Sequence, residues 1–415
     1  MPSPLLRTAV ATALALGALG LTQPARASSS DGVYTVRVPD GDPHKRSLAP
    51  RTTEPFSMVG VTWADPDAAL DGTAYVRTRS RGSGEWSAWR ALDTDVRTPE
   101  SGPDHDHAGV RGGTQPLWTG PSDGVQVRVS GGRLPQGLRV ELVDPDGGSD
   151  AVHTSVVEPG VPEPGAVEPA PGAPLAGRPT VTSRSAWGAD ESLVKDPPTY
   201  TTGTQAMFVH HTAGTNDYTC SQSASVVRGV FLYHVQSNGW NDIGYHFLVD
   251  KCGTVFEGRA GGIDKPVLGA HTYGFNTATS SVSVLGDYST ATTNAAVRAA
   301  VAKVAAWKLG LYGLDPAGTV VLTSGADNGK YQAGQKVTLN RISGHRDGSP
   351  TECPGQNLYD DLPEIRSLAT KPGTLVAPAP NPEPATEPEP ESAPEWDLES
   401  ETELAELGIE GVLAR

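Results

Sequence analysis

Apolar positions along the chain recur at two spacings, and the change from one to the other divides it. Between residues 54 and 145 short runs alternate apolar and polar side chains: Phe56 to Ala64, Thr73 to Ser80, Trp86 to Leu92, Thr114 to Trp118, Gly124 to Ser130 and Leu138 to Val143. Turn clusters such as Asp65-Pro66-Asp67 and Arg81-Gly82-Ser83-Gly84 separate them. Successive side chains of a strand face opposite ways. Such runs, bracketed by turn formers, predict a small all-β, sandwich-like domain with Trp63, Trp86, Trp89 and Trp118 in its core and rim.

Beyond residue 179 helical spacing appears between the strand-like runs. A helix begins at Ser223, where Val226, Val227, Val230, Phe231 and His234 share one face, so His234 reads as a packed core histidine. Asn294 caps a second helix with a buried stripe of Val297, Val301, Val304, Trp307 and Leu309, ended by Gly310. A last helix is expected from Leu358 to Leu368, and strands at Ala206–His210, Tyr245–Asp250, Thr254–Glu257 and Ser281–Leu285. This alternation predicts an α/β domain over residues 179–370.

Composition fills in the segments between. The 415 residues suffice for two or three domains. Residues 1–27 hold Arg7, an apolar run from Thr8 to Leu21 and Ala25-Arg26-Ala27, the pattern of a secretory signal peptide. That run falls short of the roughly 20 apolar residues that span a bilayer. Residues 28–53 are polar and read as an extended lead-in. From 146 to 178 six prolines and no aromatic residue mark a linker too apolar-poor to fold. Residues 371–415 carry eleven acids against Lys371 and Arg415, so nine of the sixteen net negative charges lie in a Pro- and Glu-rich tail. No basic stripe offers itself to phosphates, which argues against nucleic acid as a partner.

Candidate chemistry gathers in Ser343–Gly355. Gly344, Gly348, Pro350, Pro354 and Gly355 predict a loop without helix or strand, carrying His345 and Cys353. Imidazole nitrogen and thiolate sulfur together suit zinc. Upstream, Met207–Gly214 is a strand edge ending in His210 and His211, which point to opposite faces, so only one of them reaches a shared ion. Pro103–His107 reads as a mobile loop without a scaffold for metal.

Six ordered motifs then coincide: Ser185-Ala186-Trp187-Gly188, Val209-His210-His211-Thr212, Trp240 through Phe247, Glu257-Gly258-Arg259, Gly269-Ala270-His271, and Gly344-His345-Arg346-Asp347 with Thr351-Glu352-Cys353-Pro354-Gly355. On these residues the chain resembles the peptidoglycan recognition protein and type 2 N-acetylmuramoyl-L-alanine amidase family, over roughly residues 180 to 370. The resemblance implies a mixed central sheet flanked by helices, and a secreted, cell-wall-associated zinc hydrolase. Its reaction would cleave the amide between N-acetylmuramic acid and L-alanine in peptidoglycan, with a non-catalytic peptidoglycan-binding protein as the alternative.

Carried over residue by residue, the family's Zn2+ ligands fall on His210, His345 and Cys353, leaving one tetrahedral position open. Tyr245 occupies the catalytic tyrosine position, and Thr351, where phage-type members carry a catalytic lysine, is the second catalytic candidate, expected to orient the attacking water or the oxyanion. Trp240, Arg259, His271, Tyr273 and Asn276 fall in the substrate groove, Arg259 as the partner of a stem-peptide carboxylate. Trp187 is expected to support the fold, and His246 to be structural. Of three thiols in an exported protein, Cys220 and Cys252 are expected to pair, closing a loop worth roughly 3.5 kcal/mol and leaving Cys353 for metal. The mature protein is expected to be monomeric and without a transmembrane segment. No His-Glu-x-x-His pattern supports an unrelated zinc protease.

Overall fold

A computed structural model describes residues 28–147, apart from 31 and 95, and residues 177–371. The expected signal peptide, nearly all of the linker and all but the first residue of the acidic tail lie outside the described residues. The N-terminal unit is one antiparallel sheet built from β1 (Ser28–Ser30), β2 (Val33–Arg37), β3 (Lys45–Trp63), β4 (Gly72–Ser80), β5 (Arg90–Leu92), β6 (Gly112–Gly113), β7 (Leu117–Gly131) and β8 (Arg139–Val143). Their order is β1-β2-β8-β3-β7-β4-β5, with β6 paired to β3. The expected short strands of a sandwich are thus joined by two long ones: β3 and β7 stay paired through register shifts at Leu48/Arg51, Thr52/Phe56 and Phe56/Met58. Bulges let a strand bend without ending. Ala74, Val76, Val125, Val127, Val140 and Leu142 form the buried face.

Residues 28–53 are therefore not a lead-in but part of this sheet. Val33, Val36, Val38 and Leu48 are buried, yet Pro39, Pro43 and charged residues interrupt their alternation before it can be read. Pro103–His107 is also not a mobile loop. Pro103–Asp106 forms a helical turn, α1, whose Asp104 is buried against the second unit.

The second unit holds a five-stranded mixed sheet, β11-β10-β12-β9-β15, from β9 (Ala206–His211), β10 (Phe247–Val249), β11 (Val255–Glu257), β12 (Thr279–Val284) and β15 (Ile342–Gly344). β12 and β15 run parallel to β9 on either side, β10 runs parallel to β12, and β11 turns back antiparallel to β10. A separate hairpin, β13 (Thr319–Thr323) with β14 (Lys336–Asn340), had no counterpart in the expectations. Helices are α2 (Arg184–Trp187), α3 (Ser223–Leu232), α4 (Ala295–Gly310), α5 (His345–Gly348), α6 (Gln356–Asp360) and α7 (Leu362–Ala369). Asn294 caps α4 by accepting from the Val297 amide at 3.0 Å, and the α4 stripe packs on Met207, Val209, Val282 and Val284. The single last helix is divided at Asp361 into α6 and α7, because Pro363 fits only the first turn of a new helix.

The Gly- and Pro-rich segment is not entirely loop. Ile342–Gly344 pairs with Met207, Phe208 and Val209, and His345 opens the single turn of α5. The pairing is long-range, so glycine content alone could not reveal it. Cys220 and Cys252 are joined by a disulfide that ties the start of the α3 segment to the turn after β10.

The two units share a hydrophobic core. Val33, Met58, Trp118 and Val143 of the first pack with Trp187, Val227, Val230, Phe231 and Tyr233 of the second. Gly60 allows the approach, since a Cβ there would lie 2.4 Å from the Tyr233 ring. The Tyr233 hydroxyl donates to the Val61 carbonyl at 3.4 Å.

Candidate metal centre

Strand alternation sorts the two adjacent histidines. His211 shares its face of β9 with Met207 and Val209, which pack on α4, and its Nδ1 accepts from the Tyr288 amide at 3.2 Å. His210 shares the other face with Ala206 and Phe208. Gly344 lies opposite Val209 in the parallel pair, so His345 emerges one step further along, beside His210, with ring centroids 4.4 Å apart. Cys353 comes back over the same end of the sheet. Its Sγ lies 3.8 Å from His210 Nδ1 and accepts from the His211 amide at 3.4 Å.

The three donors His210, His345 and Cys353 all lie within 4.8 Å of one another. Zinc bonds of about 2.0 Å to nitrogen and 2.3 Å to sulfur put tetrahedral donors roughly 3.5 Å apart, so this set fits that ion. The charge states fit as well. Burial first, then the neighbouring His345 and His271, push His210 well below the ordinary histidine range. Burial pushes His345 down to about 3, helped by His211 and Lys330. Both rings are therefore neutral near pH 7, with lone pairs available.

Around this trio stand residues of both units. Burial, followed by the charge of Cys353, pushes the Tyr245 hydroxyl well up, so it keeps its proton. The same hydroxyl accepts from Gln115 Nε2 at 2.9 Å, and Gln115 belongs to the N-terminal unit. His271 Nδ1 lies 2.9 Å from Thr272 Oγ1, which in turn lies 3.5 Å from His210 Nε2. The buried His271 Nε2 has no protein partner among the described residues. Thr272 is thus the outer partner of a candidate ligand, a position that often orients a metal-bound imidazole.

The expected groove residues divide. Trp240, Tyr245, His271, Tyr273 and His345 line one cavity of about 120 Å³, together with Leu70, Val96, Arg97 and Gln115 of the N-terminal unit. Trp240 stacks on His234, ring centroids 4.6 Å apart, and His234 Nδ1 accepts from the Gly244 amide, so the expected core histidine also borders this cavity. Asn276 faces inward: its Oδ1 accepts from the His271 and Thr272 amides, and its Nδ2 donates to Glu100 at 3.0 Å.

Arg259 is occupied differently from the expectation. Its guanidinium pairs at two points with Asp104 of α1, at 2.7 Å each, and both side chains are more than nine-tenths buried. Thr351 Oγ1 accepts from the Cys353 amide at 3.0 Å, so its hydroxyl shapes the Cys353 loop. The Glu352 side chain is 91% exposed, away from the trio. Trp187 is fully buried and donates to the Glu257 carbonyl, and His246 Nε2 donates to the Val267 carbonyl; both hold the fold. Asp104, Gln115 and Thr272 carried no signal in the sequence, because their partners lie 62 to 155 residues away.

The N-acetylmuramoyl-L-alanine amidase family model (Amidase_2) matches residues 200–356. The chain is 30% identical over 183 residues to peptidoglycan-recognition protein SC2 of Drosophila simulans, a match spanning 44% of this chain and 84% of that relative. The chain belongs to the peptidoglycan recognition protein and type 2 amidase family. A second member, the Homo sapiens N-acetylmuramoyl-L-alanine amidase, is 30% identical over 189 residues, 44% of this chain and 28% of that protein. The solved Drosophila PGRP-LB structure aligns at 24% identity and TM-score 0.35, covering 44% of this chain and 91% of that one. Residues 20–165 match the Rv3811 N-terminal galactose-binding domain-like family, so the chain joins a galactose-binding-like domain to an amidase-family domain with a mixed sheet. No helix among the described residues is long and apolar enough to cross a membrane.

Proposed function

We propose that this family member is an exported N-acetylmuramoyl-L-alanine amidase, hydrolysing the amide between the lactyl group of N-acetylmuramic acid and L-alanine. The observation that carries the reading is the set of buried His210 and Cys353 with half-buried His345, in which two neutral imidazoles and one thiol converge. These residues would hold Zn2+, which when bound supplies Lewis acidity and an activated water. The apolar N-terminal run and the Cys220–Cys252 disulfide support export.

The chain's own residues do the rest. Tyr245 holds a proton that Gln115 does not take, and donates it as a hydrogen bond to the carbonyl oxygen as negative charge develops there. His271 offers its Nε2, which has no partner among the described residues, to the sugar or peptide, and Trp240 and Tyr273 supply apolar walls. Thr351 is a positioning residue, acting through the Cys353 loop.

The test is digestion of purified peptidoglycan before chelation, after it and after zinc is restored, scoring new alanine amino termini against new reducing ends. Zinc-dependent amino termini without reducing ends are expected. Wall binding without any cleavage would make the chain a recognition protein instead.

A further inference from the structure

The cavity beside the candidate metal centre is walled by two units of different family, and its charge comes from the N-terminal one. Among its described lining residues Arg97 is the single permanent cation, and none is a carboxylate. Arg259, the cation that the sequence offers for a substrate acid, is withdrawn into its pair with Asp104. Arg97 is not so paired. Its guanidinium lies over the Tyr273 ring, 5.6 Å from the centroid, and no ion pair holds it among the described residues. Stacking on an aromatic face leaves the edge of the guanidinium open to accept two oxygens side by side.

The segment that presents Arg97 is fixed at both ends against the amidase-family domain. Before it, Val96 packs with Trp240, Ala270 and Val110. After it, Glu100 Oε2 accepts from the Gly274 amide at 3.2 Å and from Asn276 Nδ2 at 3.0 Å. Glu100 is thereby engaged with the amidase-family domain. Gln115, hydrogen-bonded to Tyr245, also ties the same segment by donating from its backbone to the Asp93 carbonyl at 2.8 Å. An arginine so placed is pre-organised rather than recruited from solvent.

We propose that Arg97 binds a free carboxylate of the stem peptide, so that the N-terminal domain completes the substrate site and sets a preference for acidic over amidated stems. The proposal deepens the amidase reading and rests on it for the identity of the substrate. A galactose-binding-like domain would then act here as a wall of the amidase pocket, through residues 94 to 115 rather than through a sugar site of its own.

The test uses the full chain and two soluble muropeptides that differ only in whether the stem carboxylates are free or converted to carboxamides. The wild type is expected to favour the acid, and Arg97→Ala to erase that preference by raising KM for the acid about 10- to 100-fold, as for a lost charge-assisted bond, with kcat retained. Arg97→Lys should restore part of it, since ammonium supplies charge without the bidentate fork. Thermal unfolding of each variant, expected to match the wild type because Arg97 is exposed, separates lost binding from lost fold. Equal treatment of acid and amide by the wild type, or an equal change for both in Arg97→Ala, would overturn the proposal. Calorimetric binding of the same pair keeps the two readings apart. Acid preference that depends on Arg97 without hydrolysis would sink the amidase and leave this site standing.

Discussion

The candidate metal cluster and the Arg259–Asp104 pair are both polar and largely buried, and they handle charge in opposite ways. In the cluster, burial strips the proton from His210 and His345, leaving two neutral imidazoles beside a thiol. In the pair, a guanidinium and a carboxylate stay close at two points, with the Ile243 carbonyl accepting from Arg259 Nε as well. A buried charge is tolerable when its counter-charge is built into the chain. The pair is therefore balanced as folded, whereas the cluster offers neutral donors that could hold a cation. That contrast separates a candidate site for chemistry from a clamp between domains, although both arginine and histidines fall in motifs of the same family.

The comparison is broken most directly at the cluster. His210→Ala and Cys353→Ser are each expected to lower amide hydrolysis at least about a thousandfold, since a metal supplies several kcal/mol and each 1.4 kcal/mol is tenfold. Zinc stoichiometry should fall with activity while circular dichroism is unchanged; full activity in either purified variant removes that residue from the ligand set. At the clamp the loss should be of stability instead. Asp104→Ala leaves Arg259 buried and unpaired, which costs about 3 to 5 kcal/mol, read as a shift of the urea midpoint. Replacing both residues by Leu and Met should recover most of that loss, and failure to do so would mean that the pair contributes more than charge balance.

Smaller effects sharpen the contrast. Thr272→Val removes the hydroxyl beside His210 Nε2 and is expected to weaken zinc binding about 10- to 100-fold in a competition titration, with stability little changed. Acid should weaken the fold through a histidine outside the ligand set. His246 is pushed down to about 3 by burial, and its Nδ1 accepts from the Ser281 amide, a bond that protonation breaks. Its folded pKa lies below the unfolded value of about 6.5. Between the two, the unfolded chain binds the extra proton, so its contribution is intact above pH 6.5 and is lost as pH falls toward 3. The slope is at most about 1.4 kcal/mol per pH unit for that one group. The unfolding free energy of His246→Gln should fall less over that interval than that of the wild type; parallel curves would remove His246 as a cause.

Local pattern carried the amidase-family domain far. Helices at Ser223 and Asn294 and the strand ending in His210 follow from spacing and caps that lie within a few residues of each other. The assignment of His210 and His211 to opposite faces needs only the two-residue period of a strand. The Pro- and Gly-rich segment was less legible, because Ile342–Gly344 becomes a strand through its partner β9, over a hundred residues earlier. The N-terminal sheet was misdivided for a related reason. Two strands of 19 and 15 residues bend at register shifts, and each bend interrupts the alternation that would have marked a single element.

The sequence by itself determined the motifs, the candidate ligand types, the pairing partners among three cysteines and the family, all of which depend on residue identity and short spacing. Only the tertiary structure decided that Arg259 faces Asp104, that Gln115 reaches Tyr245 and that Arg97 stands in the cavity wall. The first two of these are contacts between residues 130 and 155 positions apart, across two units that share one hydrophobic core. Which side chains meet across such an interface depends on how two folded surfaces dock. That is fixed by the summed burial of many apolar groups, and no local stretch of the chain encodes it.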